Sequence, residues 1–181
     1  MEPIFFNRLA KANAGLKCRN ALFDFLLENP EIMPDLIAFG TNLKNKNHHK
    51  GIWLLEMLAE KKAATLQPFA SKLLEMIPQY RHESAIRGSS RIVLFMTLAK
   101  PAFLTEVQQQ QCIEIALDWL IKDEIKIAPK ANALYTLAHY AKKQTWLKEE
   151  LQNIIDKDYT QQSAGYKAAA KEVLKKIRLI G

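Results

Sequence analysis

The chain has 181 residues, 49% hydrophobic and 25% charged, with a formal net charge of +7. That length suits one domain or one short repeat array, and that composition excludes wholesale disorder. The longest fully apolar run, Ile92 to Met96, falls far short of the roughly 20 residues of a membrane span. Met1-Glu2-Pro3 puts no basic stretch ahead of Ile4-Phe5-Phe6, so no signal peptide is read there and a cytoplasmic protein with no membrane partner is expected.

Strand signals are nearly absent, and helical periodicity recurs along the whole chain. Helices are expected over 3–13 and 16–28, the second carrying Cys18, Ala21, Leu22, Phe25 and Leu26 on one face. Asn29-Pro30 ends it, because the residue before a proline disfavours the α region. A helix over 32–42 has Pro34 in its first turn, where a missing N–H is tolerated. A polar loop, Asn42 to His49, leads to helices over 49–60 and 66–77, with Pro68 in the first turn of the latter and Pro78 beyond its end. A helix over 83–99 stops before Pro101, and 105–122 places Cys112, Ile115, Ala116, Trp119 and Leu120 on one face. Pro129 opens 128–143, whose stripe is Leu134, Leu137, Ala138 and Ala141. A short helix over 146–155 and a loop, Asp156 to Gln162, precede the last helix, 163–179, striped by Ala170, Val173, Leu174 and Ile177.

Four of these helices begin alike, with a basic residue, a small residue and then an apolar run. They are Lys50-Gly51 before Ile52 to Leu58, Arg87-Gly88 before Ile92 to Ala99, Lys130-Ala131 before Leu134 to Ala141, and Lys167-Ala168 before Val173 to Ile180. Lys17-Cys18 before Ala21 to Leu27 is a weaker copy. The spacings of 33, 37, 43 and 37 residues fall in the range of stacked helical repeats. The expected fold is therefore all-α: a short α-solenoid, a right-handed superhelix of about ten helices in five antiparallel pairs, forming one domain over 1–181. Ile52 to Leu58 and Ile92 to Ala99 are apolar almost all round, as interior repeats flanked on every side should be.

The starts Arg87-Gly88-Ser89-Ser90 and Lys130-Ala131-Asn132-Ala133-Leu134 resemble the inner helix of HEAT repeats, which opens with a basic residue, small residues and leucines. That family also favours an aspartate six residues before the basic position. Here Glu124 comes close, while Lys44, Arg81 and Gln161 occupy the other equivalent positions. The resemblance covers most of the chain, and it implies a HEAT-like superhelix. The stretches Asn29 to Leu36, His82 to Arg87, Ala116 to Asp123 and Asp158 to Lys167 are similar to short helical proteins of the Bacteroidetes type that go by the name adenylosuccinate lyase. The lyase loop reads Ser-Ser-x-Met-Pro-x-Lys-x-Asn. This chain has Pro129-Lys130-Ala131-Asn132 with no serine pair before it, and Ser89-Ser90 lies in another repeat. No lyase residue is carried over, and no catalytic residue, metal or cofactor is expected.

Other constellations point to structure rather than chemistry. His48-His49, with His82 later, lacks the several ligands at defined spacing of a zinc site and is read as a solvated loop. His82-Glu83-Ser84 has triad composition without a nucleophile elbow and is read as a helix start. Asp118, Asp123 and Glu124 are read as surface ion-pair partners of Lys122 and Lys126. Cys18, Cys112, Trp53 and Trp119 are read as core, and Trp146 as exposed.

The best shared candidate is the basic set Lys50, Arg87, Lys130 and Lys167, with Arg91 and Lys171 one turn on. Two readings stand. Each cation bonds a carbonyl or carboxylate of the neighbouring repeat, or the stripe contacts an anionic partner through phosphates. The expected function is a non-catalytic binding or scaffolding module for a protein partner. Nucleic-acid binding through the basic stripe is the alternative, and an enzyme the third class.

Overall fold

A computed structural model describes residues 2–178, the side chains of Glu2, Asp158 and Arg178 apart. The described residues are all-α, and their contacts divide the chain into two compact units, Met1–Ile92 and Val93–Gly181.

The first unit holds α1 (Glu2–Lys11), α2 (Leu16–Glu28), α3 (Met33–Thr41), α4 (His48–Lys62), α5 (Ala70–Met76) and most of α6 (Glu83–Leu98). The proline signal ends α2 as expected. Asn29 folds back, its side-chain amide donating to the Phe25 carbonyl at 2.8 Å, and Pro30 opens a short 3₁₀ turn. The buried face of α2 is Leu22, Phe23 and Leu26, with Ala21 exposed and Cys18 only half-buried. That corrects the expected stripe. The helix is clamped from two sides: Phe25 stacks on Phe5 of α1 at 5.2 Å, and Lys61 of α4 lies over the Phe23 ring at 4.8 Å.

The helix expected over 66–77 is broken differently. Ala63–Phe69 is 3₁₀, α5 follows, and Ile77–Gln79 is 3₁₀ again. Pro68 lacks the N–H that would extend an α-ladder back through this stretch, and its ring crowds the carbonyl four residues earlier.

The centre of this unit is α4, which packs against α1, α2 and α3. Its residues Ile52 to Glu56 are all buried. Two glycines let neighbours approach it. A Cβ on Gly51 would sit 2.9 Å from the Gly40 Cα of α3, and one on Gly88 would sit 2.8 Å from the Ile52 Cγ2, where α6 meets α4.

The second unit takes the end of α6, then α7 (Glu106–Ile121), α8 (Ile127–Tyr140), α9 (Thr145–Asp158) and α10 (Ala164–Arg178). Thr105 starts α7 through a reciprocal capping box with Gln108. The expected stripes of α7 and α8 are all buried. Central α8 packs against α7, α9 and α10. Inside lies a polar knot, where the Thr97 hydroxyl and Tyr140 hydroxyl meet at 3.2 Å and both hydrogen-bond the Cys112 thiol. Burial pushes that thiol up to about 12, so it is a core group and not a nucleophile.

The expected loop at Asp156 to Gln162 is helical: α9 runs to Asp158 and a 3₁₀ turn covers Tyr159–Gln161. The stripe Leu147, Leu151 and Ile155, fully buried at helical spacing, carries α9 through that stretch. The expected helix end at 179, and Ile180 closing the last apolar run, lie outside the described residues. Among the described residues, no helix is long and apolar enough to cross a membrane.

Candidate functional site: the basic starts of the even-numbered helices

The recurring basic residues do fall in the opening turns of the even-numbered helices. Lys50 is the third residue of α4, Arg87 the fifth of α6, Lys130 the fourth of α8 and Lys167 the fourth of α10. What their side chains do differs.

Lys50 turns inward, its ammonium donating to the Ala10 carbonyl at 2.5 Å. That carbonyl is in the last turn of α1, where helix carbonyls lack partners and the dipole favours a cation. Lys167 donates to the Thr160 carbonyl at 3.1 Å, and its ammonium lies 5.9 Å from the Tyr159 ring centre. Lys130 is only 5% exposed, its alkyl stem packed into α8's buried face. Arg87 and Lys171 are exposed on α6 and α10.

Arg91 is the most strongly held. Its Nε lies 2.7 Å from Glu56 Oε1 of α4, and its NH2 donates to Glu60 at 2.9 Å. Glu56 is 8% exposed, and its carboxyl is raised from its ordinary value. Burial is the largest cause, and it outweighs the opposing pull of Arg91, Arg87 and Arg19. A buried carboxylate thus sits among guanidiniums from α2 and α6, the arrangement of a cross-helix tie. In the second unit, the Tyr135 hydroxyl of α8 donates to Glu172 of α10 at 2.6 Å. Lys176 pairs with the same carboxylate at 2.6 Å. Both hydrogen bonds hold Glu172 below its usual range, Lys176 the more. The bond that Tyr135 donates to Glu172, with burial behind it, makes the hydroxyl keep its proton and raises it to about 12.

The cations thus group by neighbourhood. Arg91 meets Glu56 and Glu60 beside Arg87 and Arg19 in the first unit. In the second, Lys167 is tied to the turn that precedes its own helix. Glu56, Glu60, Tyr135 and Glu172 were missed by sequence reasoning. Glu56, Tyr135 and Glu172 follow Lys50, Lys130 and Lys167 by six, five and five positions, a spacing that points to a tie only once the helices are known to lie side by side.

The remaining constellations resolve as follows. Asp118 and Lys122 form the expected pair at 2.6 Å. Trp53 and Trp119 are buried, and Trp146 is 50% exposed. His48 and His49 are not a solvated loop: α4 begins at His48, which is 9% exposed and joins a ring cluster. The rings stack because Tyr80 and His82 are held opposite the first turn of α4. Glu83 and Ser84 start α6 as expected, and His82 caps it by accepting a hydrogen bond from the Ser84 amide at 3.2 Å. Among the described residues, no three His, Cys, Asp or Glu side chains are placed to hold a metal ion. An open cleft of about 400 Å³ between α1 and α3 is lined by Phe6, Asp35, Phe39 and Asn45 and by none of the candidate cations. No family model, no curated protein and no solved structure matches this chain.

Proposed function

We propose that this protein is a non-catalytic binding or scaffolding module: a HEAT-like α-solenoid that offers the solvent side of its even-numbered helices to a protein partner. The observation that carries the reading is the side-by-side packing of alternate helices. Within the first unit α2 lies on α4 and α6 meets α4 at Gly88, and within the second α8 lies on α10. Packing of alternate helices is how stacked hairpins bury a continuous core. The solvent side then carries Met57 and Arg87 in the first unit, and Phe95, Tyr135 and His139 in the second, all at least partly exposed. Aromatic, methionine and arginine side chains of this kind are the ones enriched where proteins meet.

The test is affinity capture by the full chain from its native cytosol, scored against two variants. A partner of this face should be retained by Trp146→Ser and lost by the double change Met57→Glu, Tyr135→Glu. A partner lost equally from both would refute the assignment of the face. Nucleic-acid binding is the second reading, favoured by exposed Arg87 and Lys171 and the net charge of +7. It requires duplex binding whose log–log salt slope is about −0.9 per phosphate contacted.

A further inference from the structure

The first unit contains a histidine cluster that neither a scaffold nor a nucleic-acid binder requires. We infer that His48, His49 and His82 form an acid-opened clasp: the stack closes the turn before α6 onto the first turn of α4, and protonation releases it.

The geometry carries this. The His49 and His82 rings are parallel to within 5°, their centres 3.9 Å apart. His49 also meets the Trp53 ring edge-on at 5.2 Å. His48 stacks on Tyr80 at 5.4 Å, and the Tyr80 hydroxyl donates to the Gly40 carbonyl at 2.9 Å. The turn is thus held by two ring stacks and one hydrogen bond. Two imidazoles this close stack well when neutral and repel when both are charged.

The cluster is poor in groups that would accept a hydrogen bond from a protonated ring. His48 Nδ1 faces the Asn45 carbonyl at 2.8 Å, so it carries the hydrogen and leaves Nε2 buried without a partner. His49 Nδ1 is likewise buried and unpartnered. His82 Nδ1 accepts from the Ser84 amide at the start of α6. From its own helix His49 faces His48 and Lys50, and from the turn it faces His82; all three disfavour its cation. From the preceding segment the backbone of Lys46 favours it. Burial is the largest influence, and together they bring His49 down from 6.5 to about 4.

The sign follows. A histidine lowered on folding is neutral in the fold and charged in the open state between those two values, so acid favours opening. Closure is complete above about pH 6.5 and is lost progressively toward pH 4. Opening frees the 80–82 turn and uncovers Trp53, which is nearly buried when closed.

The test is native-state hydrogen exchange on the full chain, read by NMR with the Trp53 indole signal as a second probe. The amides of Ala85 and Ile86, both bonded to the His82 carbonyl, report the turn. Their protection factors should fall by roughly tenfold or more between pH 7 and pH 5, while Leu54 in α4 and Ile113 in α7 keep theirs. His49→Phe keeps a ring in the stack and removes the titration, so it should stay closed across that range. His82→Asn keeps a cap for α6 but removes the ring that His49 stacks on, so Ala85 and Ile86 should be less protected already at pH 7. The proposal is overturned if Ala85 and Ile86 stay protected to pH 5. It is equally overturned if they lose protection together with Leu54 and Ile113, or if either variant opens with the wild-type profile.

Discussion

Arg91 shows at the scale of one residue why a basic position need not be a ligand site. Its partner Glu56 is buried and already resists ionisation, so the pair survives because two further guanidiniums share the load. Removing Arg91 leaves a buried carboxylate less compensated. Arg91→Ala should therefore cost about 1–3 kcal/mol in urea denaturation at pH 7. The raised folded value of Glu56 gives the deficit a pH signature. Below the ordinary value of 4.5 the carboxyl takes a proton in either state, and the penalty for its charge disappears. The deficit of Arg91→Ala should shrink as pH falls from 7 toward 4. Lys122→Ala is the comparison, since its pair with Asp118 is half-exposed on both sides. It should change stability by no more than about 0.5 kcal/mol.

At the scale of elements, the small residue beside each cation has a separate cause. Gly51 is there because α3 crosses α4 with backbone against backbone; a Cβ would meet Gly40 Cα at 2.9 Å, and backbone cannot swing aside. At Gly88 the obstacle is the Ile52 Cγ2 at 2.8 Å, a buried side chain with little room to move. Alanine would favour each helix by about 1 kcal/mol on propensity alone. Overpacking should reverse that, so Gly51→Ala and Gly88→Ala should both lower the urea midpoint, Gly51→Ala the more. Ala131 is half-buried and Ala168 exposed, so smallness at those copies answers to no such crossing.

The helix ends were legible in the sequence because prolines and apolar periods are local signals. Most helix ends fall within a few residues of expectation, and the stripes of α7 and α8 were readable as they stand, that of α10 apart from half-buried Leu174. What was not legible depended on neighbours. Phe23 is buried and Ala21 exposed because α1 and α4 both press on α2. Pro68 was placed at a helix start, yet the stretch around it is 3₁₀. His48 and His49 looked like loop residues because the rings that bury them, Tyr80 and His82, lie over 30 positions away. The cations could be found from their spacing, but not the carbonyls of Ala10 and Thr160 that receive two of them.

For the molecule as a whole, the central claim is that Lys50, Arg91 and Lys167 hold the fold together, while exposed Arg87 belongs to the face offered to a partner. Lys50, Arg91 and Lys167 each have a partner within the chain. Lys11, Lys62 and Lys157 are exposed and equal in charge. The decisive measurement is urea denaturation of two triple-alanine variants, one for each set, at the same pH and salt. Charge-assisted hydrogen bonds to carbonyls and carboxylates contribute about 1.5–3 kcal/mol each when well buried and less when exposed. The account predicts a loss of roughly 3 kcal/mol or more for Lys50, Arg91 and Lys167, and a change within about 1 kcal/mol for the exposed set. Equal losses from the two sets, or no loss from the first, would contradict it.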